Sequence, residues 1–154
     1  TPLEEAKILE TAQFEAEDRV LEIGCGSGFM SYLLSRICKQ VTSIDIYPDF
    51  IANSSELYKN LKIKNIKLIE HDATQPKKFS HPFDAIICSS GIEFIPQHWL
   101  EWLSPKGKIF APIGQEVQNA QWLKVKDNQI ITHEFVLQTK LPMLSNHQKP
   151  KFIF

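Results

Sequence analysis

Three glycines, Gly24-x-Gly26-x-Gly28, follow the short apolar run Val20-Leu21-Glu22-Ile23, and a helical periodicity starts at once behind them. Glycines there let the chain turn tightly and let a ligand approach the backbone, and the new helix start offers free N–H groups with a partial positive charge. A dinucleotide binder needs G-x-G-x-x-G/A, whose third small residue serves close helix–strand packing. This chain has Phe29 at that position, which argues against a dinucleotide. The G-x-G-x-G form suits a nucleoside ligand without a pyrophosphate, and S-adenosylmethionine, with its amino-acid tail and sulfonium, is such a ligand. Asp45 ends the next apolar run seventeen positions after Gly28. An acidic residue about twenty positions past a glycine loop is placed to accept hydrogen bonds from ribose hydroxyls. Asp72 follows a third run and can accept from an adenine amino group.

These residues need a scaffold that brings strand ends together. Leu3 to Phe14 has helical spacing and reads as an amphipathic helix packed on the rest. Strands are expected at Val20–Ile23, Val41–Ile44, Ile66–Ile69, Phe83–Cys88 and Lys108–Ile113. Helices are expected from Ser27 through Ile37, from Pro48 through Leu61, and over Trp99–Leu103, with loops at Gln75–Pro82 and Ser104–Gly107. Phe83–Cys88 is nearly all apolar, the pattern of a central parallel strand covered on both faces. Trp122–Lys126, a turn at Asp127-Asn128, and Ile130–Val136 predict a closing hairpin. Alternating strands and helices predict an α/β fold: one Rossmann-like, doubly wound, mostly parallel sheet of about seven strands, with an antiparallel C-terminal hairpin, in a single domain over 1–154. In such sheets ligands bind at the C-terminal strand ends, where all three candidate positions fall.

Bulk properties exclude other classes. The apolar share is 43%, the charged share 23%, and 17 basic against 18 acidic residues leave a net charge of −1. That balance gives no sign of a nucleic-acid or anionic-membrane binder. No apolar run reaches the length of a membrane span, and the start of the chain lacks a signal-peptide layout. Cys25, Cys38 and Cys88 have neither even number nor C-x-x-C spacing, so neither a metal site nor a disulfide is expected, and a reducing cytoplasm is the expected compartment.

Val20-Leu21-Glu22-Ile23-Gly24-Cys25-Gly26-Ser27-Gly28-Phe29, the corner Asp45-Ile46-Tyr47-Pro48, Pro82-Phe83-Asp84-Ala85-Ile86-Ile87, Leu103-Ser104-Pro105-Lys106-Gly107-Lys108-Ile109 and Pro112-Ile113-Gly114 together resemble protein-L-isoaspartate O-methyltransferases. The resemblance runs from about Pro2 to the hairpin. It implies S-adenosylmethionine as cofactor, methyl transfer to a protein or peptide carboxylate, and a role in protein repair. It also implies that Gly24, Gly26 and Gly28 shape the loop under the methionine part, that Asp45 holds the ribose and that Asp72 lies near the adenine. The full cofactor-binding set expected is Glu22, Gly24, Cys25, Gly26, Ser27, Gly28, Asp45, Ile46, Asp72, Ala73 and Ser89. Three departures stand out. His71-Asp72-Ala73 replaces a Gly-Asp-Gly, bulky Phe94 stands where substrate should approach, and only Thr1-Pro2 stands in for a substrate loop that the family carries ahead of the first helix.

Methylating a carboxylate needs little proton transfer, because the group is ionised at neutral pH. No catalytic residue or metal ligand is therefore nominated; alignment should carry the rate. His71, His81, His98, His133 and His147 are scattered, and Cys25 reads as a small side chain packed under the cofactor. Trp99, Trp102 and Trp122 read as packing residues. The alternative function is a non-catalytic cofactor-binding or regulatory domain that keeps the fold. A nicotinamide oxidoreductase ranks behind both because of Phe29.

Overall fold

The computed structural model describes residues 1–145. Its elements are α1 (Pro2–Ala12), β1 (Arg19–Ile23), α2 (Phe29–Ser35), β2 (Gln40–Asp45), α3 (Pro48–Asn60), β3 (Ile66–Glu70), β4 (Phe83–Cys88), α4 (Gln97–Glu101), β5 (Leu103–Gly114), β6 (Gln118–Lys126) and β7 (Gln129–Thr139). Among the described residues they build one seven-stranded sheet in the order β3-β2-β1-β4-β5-β6-β7. β3, β2, β1, β4 and β5 run parallel, and β6 and β7 are antiparallel additions. This is the Rossmann-like architecture expected from the alternation of strands and helices.

Successive side chains of a strand point to opposite faces, so adjacent apolar residues feed two cores. Leu21, Ile86 and Ile109 join Trp99 and Leu123 in one; Val20, Ile87 and Phe110 join Met30, Leu34 and Trp122 in the other. α1 docks on the second face. The Lys108 ammonium donates to the Ala12 carbonyl and lies 5.3 Å and 5.2 Å from the ring centres of Phe14 and Trp122. The Trp122 indole N–H donates to Thr11 Oγ1 at 3.0 Å, and the Thr139 hydroxyl donates to Glu4 at 2.7 Å. The β6–β7 turn has Asp127 and Asn128 at φ 52° and 57°, the two positive values of the tight hairpin turn that matches strand twist.

Boundaries differ from expectation at several elements, and β6 begins at Gln118, four residues before the expected Trp122. α2 begins at Phe29, because Ser27 and Gly28 are still in the glycine turn and Gly28 has φ 79°. α4 occupies Gln97–Glu101, two residues earlier than expected. β5 begins at Leu103, which pairs with Phe83; the next pairing is Ala85 with Lys108, so residues 104–107, expected as a turn, bulge between the two rungs. The connection over residues 71–82 contains no helix. Trp102 holds that loop by donating to the Lys77 carbonyl at 2.8 Å, and Phe79 packs edge-on against Phe83 and Trp102. No helix of the described residues is long and apolar enough to cross a membrane.

Candidate cofactor site

Where β1, β2 and β4 end, their hydrogen-bond ladders continue for one more rung. Gly24 N–H donates to the Ile44 carbonyl, Ser89 N–H to Ile23 and His71 N–H to Asp45, each at 2.9 Å. These bonds bring the glycine loop, Asp45 and Ser89 to one rim. A cavity of about 250 Å³ opens there, lined by Gly24, Gly26, Asp45, Ile46, Ala73 and Ser89, with Tyr47, Phe50, His71 and Ser90.

The loop has a worked floor. Gly24, Gly26 and Gly28 have φ of 91°, 49° and 79°, all in the left-handed region that favours glycine. A Cβ on Gly26 would meet nothing within 4 Å, so this residue faces open space. A Cβ on Gly28 would come within 2.5 Å of Tyr58 Oη and 2.8 Å of Ser54 Oγ. These α3 side chains support the turn from below, Tyr58 by donating to the Gly28 carbonyl at 2.7 Å. Asp45, 8% exposed, accepts from Gly26 N–H at 3.2 Å through Oδ2 and from Tyr47 N–H at 3.0 Å through Oδ1. Its carboxylate is thereby fixed at the rim.

Of the remaining sequence candidates, Glu22, Cys25 and Asp72 are buried and line no wall of the cavity. Glu22 is buried and accepts from the Ser31 hydroxyl and, at 2.8 Å, from Ser43. Burial pushes its carboxyl up to about 7, against the two hydroxyls that lower it. Cys25 is buried with its sulfur 3.1 Å from Ser54 Oγ, and burial pushes its thiol pKa up, opposite to what a reactive thiolate needs. Ser27 is exposed beside the turn. Asp72 is buried next to the cavity but does not line it; its Oδ1 accepts from the Thr74 N–H at 2.8 Å and hydroxyl at 2.7 Å. Ala73 reaches the cavity because α4 braces it: the Trp99 indole N–H donates to the Ala73 carbonyl at 2.8 Å, and His98 Nε2 lies 2.9 Å from the same oxygen. Phe94 is 72% exposed and lines no wall of this cavity. His147 lies outside the described residues.

One wall was not legible in the sequence. Pro142–Ser145 crosses to the tip of β4, where Gly91 N–H donates to the Pro142 carbonyl at 2.9 Å and Leu144 N–H to the Gly91 carbonyl at 2.8 Å. Buried Gln118 latches the strap. Its Oε1 accepts from Leu141 N–H at 2.8 Å and its Nε2 donates to the Gln115 carbonyl at 2.6 Å. A Cβ on Gly91 would meet Gln118 Nε2 at 2.8 Å and Met143 Sδ at 2.9 Å, so only glycine lets the strap approach. No local pattern near Gln118 announces a partner 23 residues away.

A parallel sheet with a glycine-turned first crossover, an acidic end to the second strand and an antiparallel closing pair is the Rossmann-like methyltransferase class. The family model of Protein-L-isoaspartate(D-aspartate) O-methyltransferase (PCMT) matches residues 1–147, and the chain belongs to that family. It is 31% identical over 121 residues to a protein-L-isoaspartate O-methyltransferase of Myxococcus xanthus, covering 79% of this chain and 57% of the relative. With protein-L-isoaspartate O-methyltransferase 1 of Nitrosospira multiformis it shares 28% over 149 residues, covering 95% and 63%. Thus the chain spans little more than half the length of these curated relatives. A solved protein-L-isoaspartate O-methyltransferase superposes with TM-score 0.86 at 24% identity, over 94% of this chain and 47% of that one. A putative Plasmodium falciparum member, crystallised with S-adenosyl-L-homocysteine, superposes with TM-score 0.74 at 22% identity over 94% and 74%. At these identities the likeness supports the shared fold.

Proposed function

We propose that this chain binds S-adenosylmethionine in the strand-end cavity and serves transfer of its methyl group to an isoaspartyl or related carboxylate of a protein or peptide. The observation that carries the reading is the shared rim: the open left-handed Gly26 and the fixed Asp45 carboxylate line one cavity, in a chain of this family. The donor set fits the group. Gly24 and Gly26 leave room for the amino-acid tail, Asp45 accepts from the ribose hydroxyls, and Ile46, Tyr47, Phe50 and Ala73 offer apolar surface to the adenine. When bound, S-adenosylmethionine supplies an electrophilic methyl on a positively charged sulfur.

The protein's part is positional. Asp45 and the glycine loop set the depth of the ligand, and Ser89, Ser90 and the Pro142–Ser145 strap wall the cavity beside it. An acceptor carboxylate arrives ionised, so no residue needs to take a proton. The three cysteines, all buried and free, suit a reducing compartment, and we place the protein in the cytoplasm.

Titration with S-adenosylhomocysteine by calorimetry tests cofactor binding, and absence of heat at millimolar ligand overturns it. Methyl transfer to an isoaspartyl peptide tests the activity. A second reading, a cofactor-binding domain without turnover, rests on Asp72, which turns its Oδ1 to Thr74 and lines no wall of the cavity. Turnover by the chain rejects it; binding without turnover supports it.

A further inference from the structure

The sheet face that packs against α4 changes character along its strands. Near the cofactor rim the register aligns Ile23, Ile44 and Ile69. Two residues earlier it aligns Leu21, Thr42 and Lys67, and at the strand starts Arg19 sits beside Gln40. Because no helix occupies residues 71–82, this end of the face is open. It forms a cleft of about 450 Å³ whose floor is Arg19, Gln40, Thr42 and Lys67, with Lys77, Lys78 and His81 of the loop on its rim.

No Asp or Glu lines the cleft. The ion pairs among the described residues are Thr1–Glu4, Lys7–Glu10 and Lys39–Glu17, and none of the four cleft cations takes part. Arg19 spends one N–H on Gln40 Oε1, at 3.4 Å. The nearby Asp84 carboxylate accepts from the Arg19 backbone N–H at 2.9 Å and from the Ser104 hydroxyl at 3.0 Å. A chain of net charge −1 therefore gathers four cations outside any ion pair around one concavity, and such a concavity concentrates anions. Two of the cations stand on ladder-held strands, so little ordering is needed on binding. Phe79 is packed edge-on against Phe83 and Trp102, at 5.0 Å and 5.2 Å between ring centres, which fixes it in the cleft wall. Charge dominates recognition here, with Gln40, Thr42 and Ser80 as neutral hydrogen-bonding groups in the lining.

We propose that this cleft is a binding site for a small oligophosphate, a ligand with two or more linked phosphoryl groups, separate from the cofactor cavity. No residue lines both cavities, so the site stands whether or not the methyltransferase reading does. Linked phosphates match the arrangement because each can take charge-assisted bonds from a different cation. Inorganic polyphosphate and the phosphate chain of a nucleotide share this chemistry.

The test titrates the full ¹⁵N-labelled chain with inorganic tripolyphosphate and, in parallel, adenosine triphosphate, following amide shifts. Saturable shifts at Lys67 and over Lys77–His81 that fade with added salt are expected. Lys67→Gln, its fold checked by its amide spectrum, should weaken the affinity about tenfold, as loss of one charge-assisted contact does. Equal affinity for the two ligands supports recognition of the phosphate chain itself, and tighter binding of the nucleotide supports a nucleotide as the source. Shifts confined to Gly24–Gly28, no saturable shift, or undiminished affinity in Lys67→Gln overturns the proposal. The shift map on the unaltered chain decides the question even if the variant fails to fold.

Discussion

Asp45 and Glu22 show how two carboxylates of one motif region diverge by environment. Asp45 reaches the rim and is held by two backbone N–H groups. Asp45→Ala should cost about 1–3 kcal/mol of S-adenosylhomocysteine affinity, the loss of a charged hydrogen-bond partner; calorimetry giving unchanged affinity would place the ribose elsewhere. Glu22, on β1 two residues before Gly24, is sealed behind the glycine loop among serine hydroxyls. Its carboxyl is raised from 4.5 to about 7, so the folded chain holds that proton more tightly than the unfolded chain does. The contribution of Glu22 to stability is then greatest below about 4.5, declines as pH rises to about 7, and stays lower above it. Glu22→Gln should remove this decline and gain roughly 1–3 kcal/mol at pH 8. Urea denaturation across the window checks it, and parallel curves for the two proteins would refute it. The sequence singles out both residues as binding candidates, yet only the fold separates the one that lines the cavity from the one that does not.

At the scale of elements, the glycine turn and α3 act together. Gly28→Ala combines a positive φ with a methyl driven against Tyr58 and Ser54, and should destabilise the fold by about 1–3 kcal/mol in urea. Gly26→Ala meets no atom, so it should cost about 1–2 kcal/mol of backbone strain while placing its methyl in the cavity. Its cofactor affinity should fall by more than its stability does. Equal losses in both variants would contradict the division of labour between the two glycines. Much of this level was legible, because strand alternation, the Asp127-Asn128 turn and the glycine spacing are local signals. What was not legible depends on partners far along the chain: Tyr58 under Gly28, thirty residues away, and Trp99 bracing Ala73, 26 residues away. Asp72 illustrates the same limit, since its position after β3 is readable but its turn toward Thr74 is not.

For the whole molecule, the two cores are continuous through β1, β4 and β5, so ligand binding at the strand ends should be felt as global stability. S-adenosylhomocysteine at a hundred times its dissociation constant should add about 2.7 kcal/mol to unfolding; a thermal midpoint indifferent to saturating ligand would argue against binding to the folded state. The strap over the cavity has a further bearing on how the molecule is made. Glycine loop, Asp45 and Ser89 are all synthesised by residue 89, whereas the wall at Pro142–Ser145 comes later and needs Gln118 already seated in the sheet. A nascent chain released from the ribosome exit only as far as Thr139 would carry the motif without its enclosure. Enclosure of the site therefore lags behind its motif while the chain is being made.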